Sequence, residues 1–192
     1  MTKSKDADRR SVPQGMLRRR DFLCLGAATA AALVMSPVAA KTIPATERQL
    51  RFRNLHTGEA TTAVYWSDGI YLPDGMQEIN SVLRDHRTDE VHPMDNDLLN
   101  LLYVLQRSVG SQKSYEVISG YRSPATNESL RNKSSGVAKR SYHMQGKAID
   151  IRLPGCDLKT LQQAALELKA GGVGYYPKSG FIHVDVGPAR SW

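Results

Sequence analysis

Chemistry in this chain concentrates in two short segments. Ser141-Tyr142-His143-Met144-Gln145-Gly146-Lys147-Ala148-Ile149-Asp150 places a histidine at a loop end and an aspartate on the strand predicted to follow. Phe181-Ile182-His183-Val184-Asp185 puts a second histidine on another predicted strand. A tight turn at Gly146 can bring the His143 imidazole and the Asp150 carboxylate to one point, and His183 can complete the set. Two imidazoles and one carboxylate are the donors of a catalytic zinc site that leaves its fourth position to water. Such a site suits amide hydrolysis, because zinc acidifies water and polarises a carbonyl. Spacing alone leaves the alternative of histidines hydrogen-bonded for structural reasons.

The segments that must position these residues read as one α+β domain, with helices packed on a small antiparallel sheet. Residues 49–54 alternate apolar and polar side chains, and residues 61–66 are rich in β-formers; both are predicted strands. Ser67-Asp68-Gly69 is a turn into a further strand at residues 70–72. Pro73 and Asp74 open a helix that faces the core with Met76, Ile79, Val82 and Leu83, and residues 86–89 end it. Asp95 caps a second helix that runs to about residue 109. Its Leu98, Leu99, Leu101, Leu102, Val104 and Leu105 make it apolar on most of its surface, as in a buried central helix. A strand at residues 115–119, a short helix at 125–131, a polar loop at 132–142 and a strand at 148–153 follow. Asp157 then caps a helix to about residue 169, and strands at 173–176 and 181–186 flank the turn at Pro177-Lys178-Ser179-Gly180.

Composition points to a globular chain of ordinary domain size, 192 residues with 41% hydrophobic and 23% charged residues. The net charge of +7 is unevenly spread. Residues 1–40 carry Lys3, Lys5, Arg9, Arg10, Arg18, Arg19 and Arg20 against Asp6, Asp8 and Asp21, so the remainder is only mildly basic. That balance gives no support for nucleic-acid binding. Arg18-Arg19-Arg20-Asp21-Phe22-Leu23 precedes a soft, Ala-rich apolar run to Val34, and Ser36-Pro37-Val38-Ala39-Ala40 offers the small residues that a signal peptidase reads. The run falls short of the roughly 20 residues that a membrane-spanning helix needs. Residues 1–40 are therefore read as an export signal that resembles the twin-arginine type, with an uncleaved N-terminal anchor as the alternative, and residues 41–192 as the functional domain. Cys24 sits too early in the apolar run to be a lipoprotein cysteine, and Cys156, left alone after cleavage, excludes an internal disulfide.

The spacing Ser141-x-His143-x-x-Gly146-x-Ala148-x-Asp150, followed by a strand histidine, resembles the metal motif of the LAS superfamily, which includes lysostaphin-type endopeptidases, D-Ala-D-Ala metallopeptidases and hedgehog-like domains. The likeness extends to the segments at 54–59, 83–87, 91–95, 119–123 and 174–187, which together resemble the murein endopeptidase K family. The resemblance implies a LAS/hedgehog-like zinc metallopeptidase of the periplasm, acting on peptidoglycan cross-bridges that involve meso-diaminopimelate or D-alanine. A carboxypeptidase trimming D-alanine from uncross-linked stems and a non-catalytic cell-wall binding module are the rival readings. Carried over by position, the zinc ligands are His143, Asp150 and His183, and Arg122 of Gly120-Tyr121-Arg122-Ser123 is a catalytic residue that pairs with a peptide carboxylate or steadies the oxyanion.

The general base departs from the family pattern. Relatives place an acid or a histidine two or three residues before the last ligand, where this chain has Phe181 and Gly180. Asp185 is the nearest candidate to shuttle the proton, and it can equally hold a ligand in place or, in an inverted assignment, be the ligand while His183 is the base. Ser141 and Tyr142 are candidates to support the site, and His56, His86 and His92 are read as structural.

Overall fold

The computed structural model describes residues 46–134 and 136–192. The leader reading, including Cys24 and the arginine run, lies outside the described residues. Among the described residues eight strands form one sheet: β1 (Glu47–Asn54), β2 (Ala60–Ser67), β3 (Ile70–Tyr71), β4 (Tyr115–Ser119), β5 (Ala148–Arg152), β6 (Gly172–Tyr176), β7 (Phe181–Asp185) and β8 (Arg190–Ser191). Four α-helices among the described residues accompany it: α1 (Pro73–Val82), α2 (Asn96–Ser108), α3 (Pro124–Lys133) and α4 (Leu158–Leu168). No helix among the described residues is long and apolar enough to cross a membrane.

The strand order is β3-β2-β1-β4-β5-β7-β6-β8. The α+β class holds, but the sheet is neither small nor wholly antiparallel, because β1 pairs with β4 and β6 with β8 in parallel. The β1–β4 connection contains a hairpin, α1 and α2, which is long enough for a parallel crossover. Two-residue β8 carries no periodicity that a sequence pattern can register.

Local chemistry sets the element ends. Asp68 and Gly69 both take positive φ, 48° and 93°, and form the two-residue turn between β2 and β3. The Asp95 side chain accepts from the Asp97 amide at 2.9 Å and so caps α2. Asp157 does the same for α4 through the amides of Lys159 and Thr160. Helix α1 starts on Pro73 at its first position, where the missing N–H costs nothing.

One core fills the space between helices and sheet. Leu50 and Phe52 of β1, Tyr115 and Val117 of β4, Ile149 and Ile151 of β5, and Ile182 and Val184 of β7 meet Ile79 and Val82 of α1, the α2 leucines, and Leu161 and Ala165 of α4. Helix α2 is more one-sided than its composition suggests, since Val104 stays 47% exposed. The alternation matters for function. Where Ile149, Ile151, Ile182 and Val184 point into the core, Asp150 and His183 point to the other face of the sheet.

Candidate metal centre

Asp150 of β5 and His183 of β7 are direct partners across an antiparallel ladder, which sets their side chains side by side on one face. His143 comes from a 3₁₀ turn, Tyr142–Gln145, entered through Ser141 and left through Gly146. The Ser141 hydroxyl accepts from the His143 amide at 3.3 Å, and Gly146 closes the turn in the left-handed region at φ +67°. The Gly146 carbonyl accepts from the Asp95 amide, which ties the turn to the start of α2.

Three donor atoms converge. His143 Nε2 lies 3.2 Å from His183 Nδ1 and 3.3 Å from Asp150 Oδ1, and His183 Nδ1 lies 2.9 Å from Asp150 Oδ1. Ligands of a tetrahedral zinc ion at 2.0–2.1 Å stand about 3.3 Å apart. The trio therefore matches the spacing that such a metal demands, and it is the group of His, Asp, Glu and Cys side chains among the described residues with that property.

The far nitrogen of each imidazole is also tied. His143 Nδ1–H donates to the Gly120 carbonyl at 2.8 Å, which leaves its Nε2 lone pair facing the trio. His183 Nε2–H donates to Asp185 Oδ2 at 3.0 Å, which leaves Nδ1 facing the same point. This outer support, by carbonyl or carboxylate, is typical of metal-binding histidines. Burial alone would raise the Asp150 carboxyl, but when His143 and His183 are protonated their charge and hydrogen bonds outweigh it and hold Asp150 well below the usual carboxylate range.

A cleft of about 590 Å³ opens over the trio. Its walls include Arg122, Arg140, Tyr142, Tyr176, Phe181 and Trp192. Arg122 sits on the loop that leaves β4, and its amide donates to the His143 carbonyl at 3.2 Å. Its Nη2 is 3.7 Å from Asp150 Oδ2 and 3.4 Å from Ser119 Oγ, while its buried Nε has no hydrogen-bond partner among the described residues. The guanidinium thus has donor capacity left beside the cluster.

Asp185 has no such freedom. It is fully buried, outside the cleft wall, and accepts from the amides of Gly172 and Gly187, from both terminal nitrogens of Arg190, and from His183. Burial would raise its carboxyl, but these donors hold it well below its ordinary value. The remaining histidines stay apart from the cleft: His56 stacks on His86 with ring centres 3.9 Å apart, and His92 stacks on Tyr121 at 4.6 Å. Arg190 and Trp192 escaped the sequence reading, yet both reach the site. Their signal was an alternation, with large residues at 190 and 192 facing glycines at 172 and 174.

An α+β domain with two imidazoles and a carboxylate converging at the floor of a cleft has the makings of a metal-dependent hydrolase. Residues 42–192 match the family model described as peptidoglycan L,D-endopeptidase MepK, and the chain belongs to that peptidase family. It is 43% identical over 175 residues to the peptidoglycan L,D-endopeptidase MepK of Escherichia coli (strain K12), covering 91% of this chain and 96% of that protein. It is 42% identical over 176 residues to the probable peptidoglycan L,D-endopeptidase MepK of Haemophilus influenzae, covering 91% and 95%. The family resemblance read from the motif and the assignment as a peptidase both agree with these matches.

Proposed function

We propose that this chain is a zinc-dependent endopeptidase of the periplasm that hydrolyses peptide cross-links of peptidoglycan at bonds involving meso-diaminopimelate or D-alanine. The observation that carries the reading is the convergence of His143 Nε2, Asp150 Oδ1 and His183 Nδ1 at 2.9–3.3 Å in a cleft, within a chain of the MepK family. These three residues would hold the zinc. When bound, the metal supplies Lewis acidity toward the scissile carbonyl and lowers the pKa of water to about 7.

The chain's own residues do the rest. Arg122 lines the cleft beside Asp150, where its guanidinium pairs with a peptide carboxylate or with negative charge growing on the carbonyl oxygen. Asp185 holds His183 in the tautomer and rotation that present Nδ1; with every lone-pair direction engaged, it acts as a support for His183 and not as the proton acceptor. Residues 1–40, read as a twin-arginine-like signal removed after Ala40, deliver the domain to its substrate.

Purified sacculi provide the test. His143→Ala and His183→Ala should each abolish release of monomeric muropeptides, and a chelator should do the same to the wild-type protein. Undiminished digestion by both variants would overturn the assignment. Cross-linked dimers should be cut and monomeric stems left intact; trimming of monomers alone would make the enzyme a carboxypeptidase.

A further inference from the structure

We propose that Arg190 is a positioning residue for the metal centre, acting through Asp185 on His183; this rests on the reading of His143, Asp150 and His183 as metal ligands. Arg190 Nη2 donates to Asp185 Oδ2 at 2.6 Å and Nη1 donates to Oδ1 at 3.1 Å. That is a two-pronged clamp, and it fixes the rotation of the carboxylate. With Oδ1 also engaged by the amides of Gly172 and Gly187, Oδ2 is the oxygen that faces His183 Nε2. The imidazole then has one orientation, with Nδ1 toward Asp150 and His143.

The clamp is itself built in. The Arg190 guanidinium lies over two aromatic rings, 5.5 Å from the centre of Tyr142 and 5.1 Å from that of Trp192. Three positions without side chains make the room. A Cβ on Gly172 would stand 2.5 Å from Arg190 Nη1 and 2.6 Å from Asp185 Oδ2. One on Gly174 would meet the Trp192 indole at 2.7 Å, and one on Gly187 would meet the Tyr142 ring at 2.5 Å. Trp192 also closes on the ligand directly, its ring centre 5.3 Å from that of His183, and its Nε1–H donates to the Tyr176 hydroxyl at 2.8 Å. The C-terminal segment, β8 with Trp192 after it, therefore carries two residues that brace His183, Arg190 through Asp185 and Trp192 by ring contact. Its backbone is held to β6 by the Trp192 amide donating to the Val173 carbonyl at 3.2 Å and the Tyr175 amide donating to the Trp192 carbonyl at 3.0 Å.

Replacing Arg190 by Met keeps much of the apolar stem and removes the clamp. Zinc affinity is read by competition with a chromophoric chelator, well below the unfolding midpoint of every variant. Arg190→Met should raise the zinc dissociation constant about tenfold or more, as loss of outer support for a metal-binding histidine does. Arg190→Lys, which restores a single donor, should recover part of the loss. Gly172→Ala, whose Cβ would crowd both the guanidinium and the Asp185 carboxylate it clamps while leaving every charge in place, should weaken zinc as Arg190→Met does. Zinc binding by Arg190→Met and Gly172→Ala within twofold of wild type would overturn the proposal. So would equal weakening in Arg190→Lys and Arg190→Met. A His183→Ala protein that binds zinc as tightly as wild type would instead overturn the ligand assignment on which the proposal rests, so the two failures are distinguishable.

Discussion

Gly146→Ala tests the turn that brings His143 to Asp150. Gly146 has φ +67°, and a Cβ there would overlap the Pro93 carbonyl oxygen and stand 3.2 Å from His92 Nδ1 and from Met94 Cα. The left-handed conformation costs an L-residue roughly 1–2 kcal/mol. Forcing a methyl against a backbone oxygen adds about 1–3 kcal/mol, because a main-chain segment must move and not merely a side-chain tip. The expected loss is about 2–5 kcal/mol of unfolding free energy, measured by urea denaturation. The site suffers as well. Gly146 lies between His143 and Asp150, its amide donates to the His143 carbonyl at 3.3 Å, and its carbonyl accepts from the Asp95 amide at 3.0 Å. Metal sites need their ligands held within about 0.5 Å, so zinc affinity should fall about tenfold or more. Gly58→Ala is the control: Gly58 also has positive φ, +77°, but a Cβ there meets nothing within 4 Å. It should lose only the conformational part and leave zinc binding unchanged. A Gly146→Ala protein no less stable than Gly58→Ala, or one that binds zinc like wild type, would refute the account of the turn.

Asp185→Asn offers one acceptor oxygen to the five donated hydrogen bonds that Asp185 now receives, so zinc affinity should fall about 10–100-fold together with stability; unchanged zinc affinity with lost turnover would instead make Asp185 the proton acceptor. Arg122→Lys should leave zinc affinity near wild type and lower kcat/KM on cross-linked muropeptides by about a hundredfold, since a single ammonium cannot replace the fork beside Asp150; equal kcat/KM would remove Arg122 from the reaction. Asp85 is buried at the start of α3, where burial would raise its carboxyl but Thr126, Ser123 and the Arg87 amide outweigh it and bring it down to about 2. A carboxyl depressed in the folded state adds stability above its ordinary value of 3.8 and loses it as pH falls toward 2, here up to about 2 kcal/mol. Urea denaturation across that window should therefore show a shallower acid loss for Asp85→Asn than for wild type, and parallel curves would contradict it.

The sequence made the ladder legible because its signals are local. Alternation across 148–153 and 181–186 identified β5 and β7, and the Asp95 and Asp157 caps placed the starts of α2 and α4. Only the pairing partner of each strand was hidden, since nothing in a period-two pattern says that Asp150 stands opposite His183. The parallel pairs, β1 with β4 and β6 with β8, were illegible for the same reason, and they turned an expected small antiparallel sheet into a mixed one of eight strands. The site split along a similar line. The three residues that converge lie in one motif and one strand, whereas Arg190 and Trp192 gain meaning only beside Gly172 and Gly174, which a reader of the chain has no cause to set against them. Asp185 was found by its spacing from His183, but spacing carries no direction; its engagement by Arg190 and two amides is a tertiary fact.

The geometry also divides labour between rigid and loop-borne parts. Asp150 and His183 stand on paired strands in the middle of the sheet, and His143 is pinned by the Gly120 carbonyl and the Ser141 hydroxyl. Arg122 and Arg140, which face the cleft, stand on connections between elements instead. Loops tolerate change better than ladders, and recognition commonly resides on them. Metal affinity and substrate choice should therefore separate under mutation. Changes at Arg140 should alter which cross-linked peptides are cut while zinc affinity holds, whereas changes at Gly146, Gly172 or Asp185 should strike zinc first and every substrate in equal proportion. Titrating zinc into each variant and comparing cleavage of two different cross-linked dimers reads both quantities. A variant at Arg140 that loses zinc in step with activity would show that the cleft wall and the metal ladder are one mechanical unit.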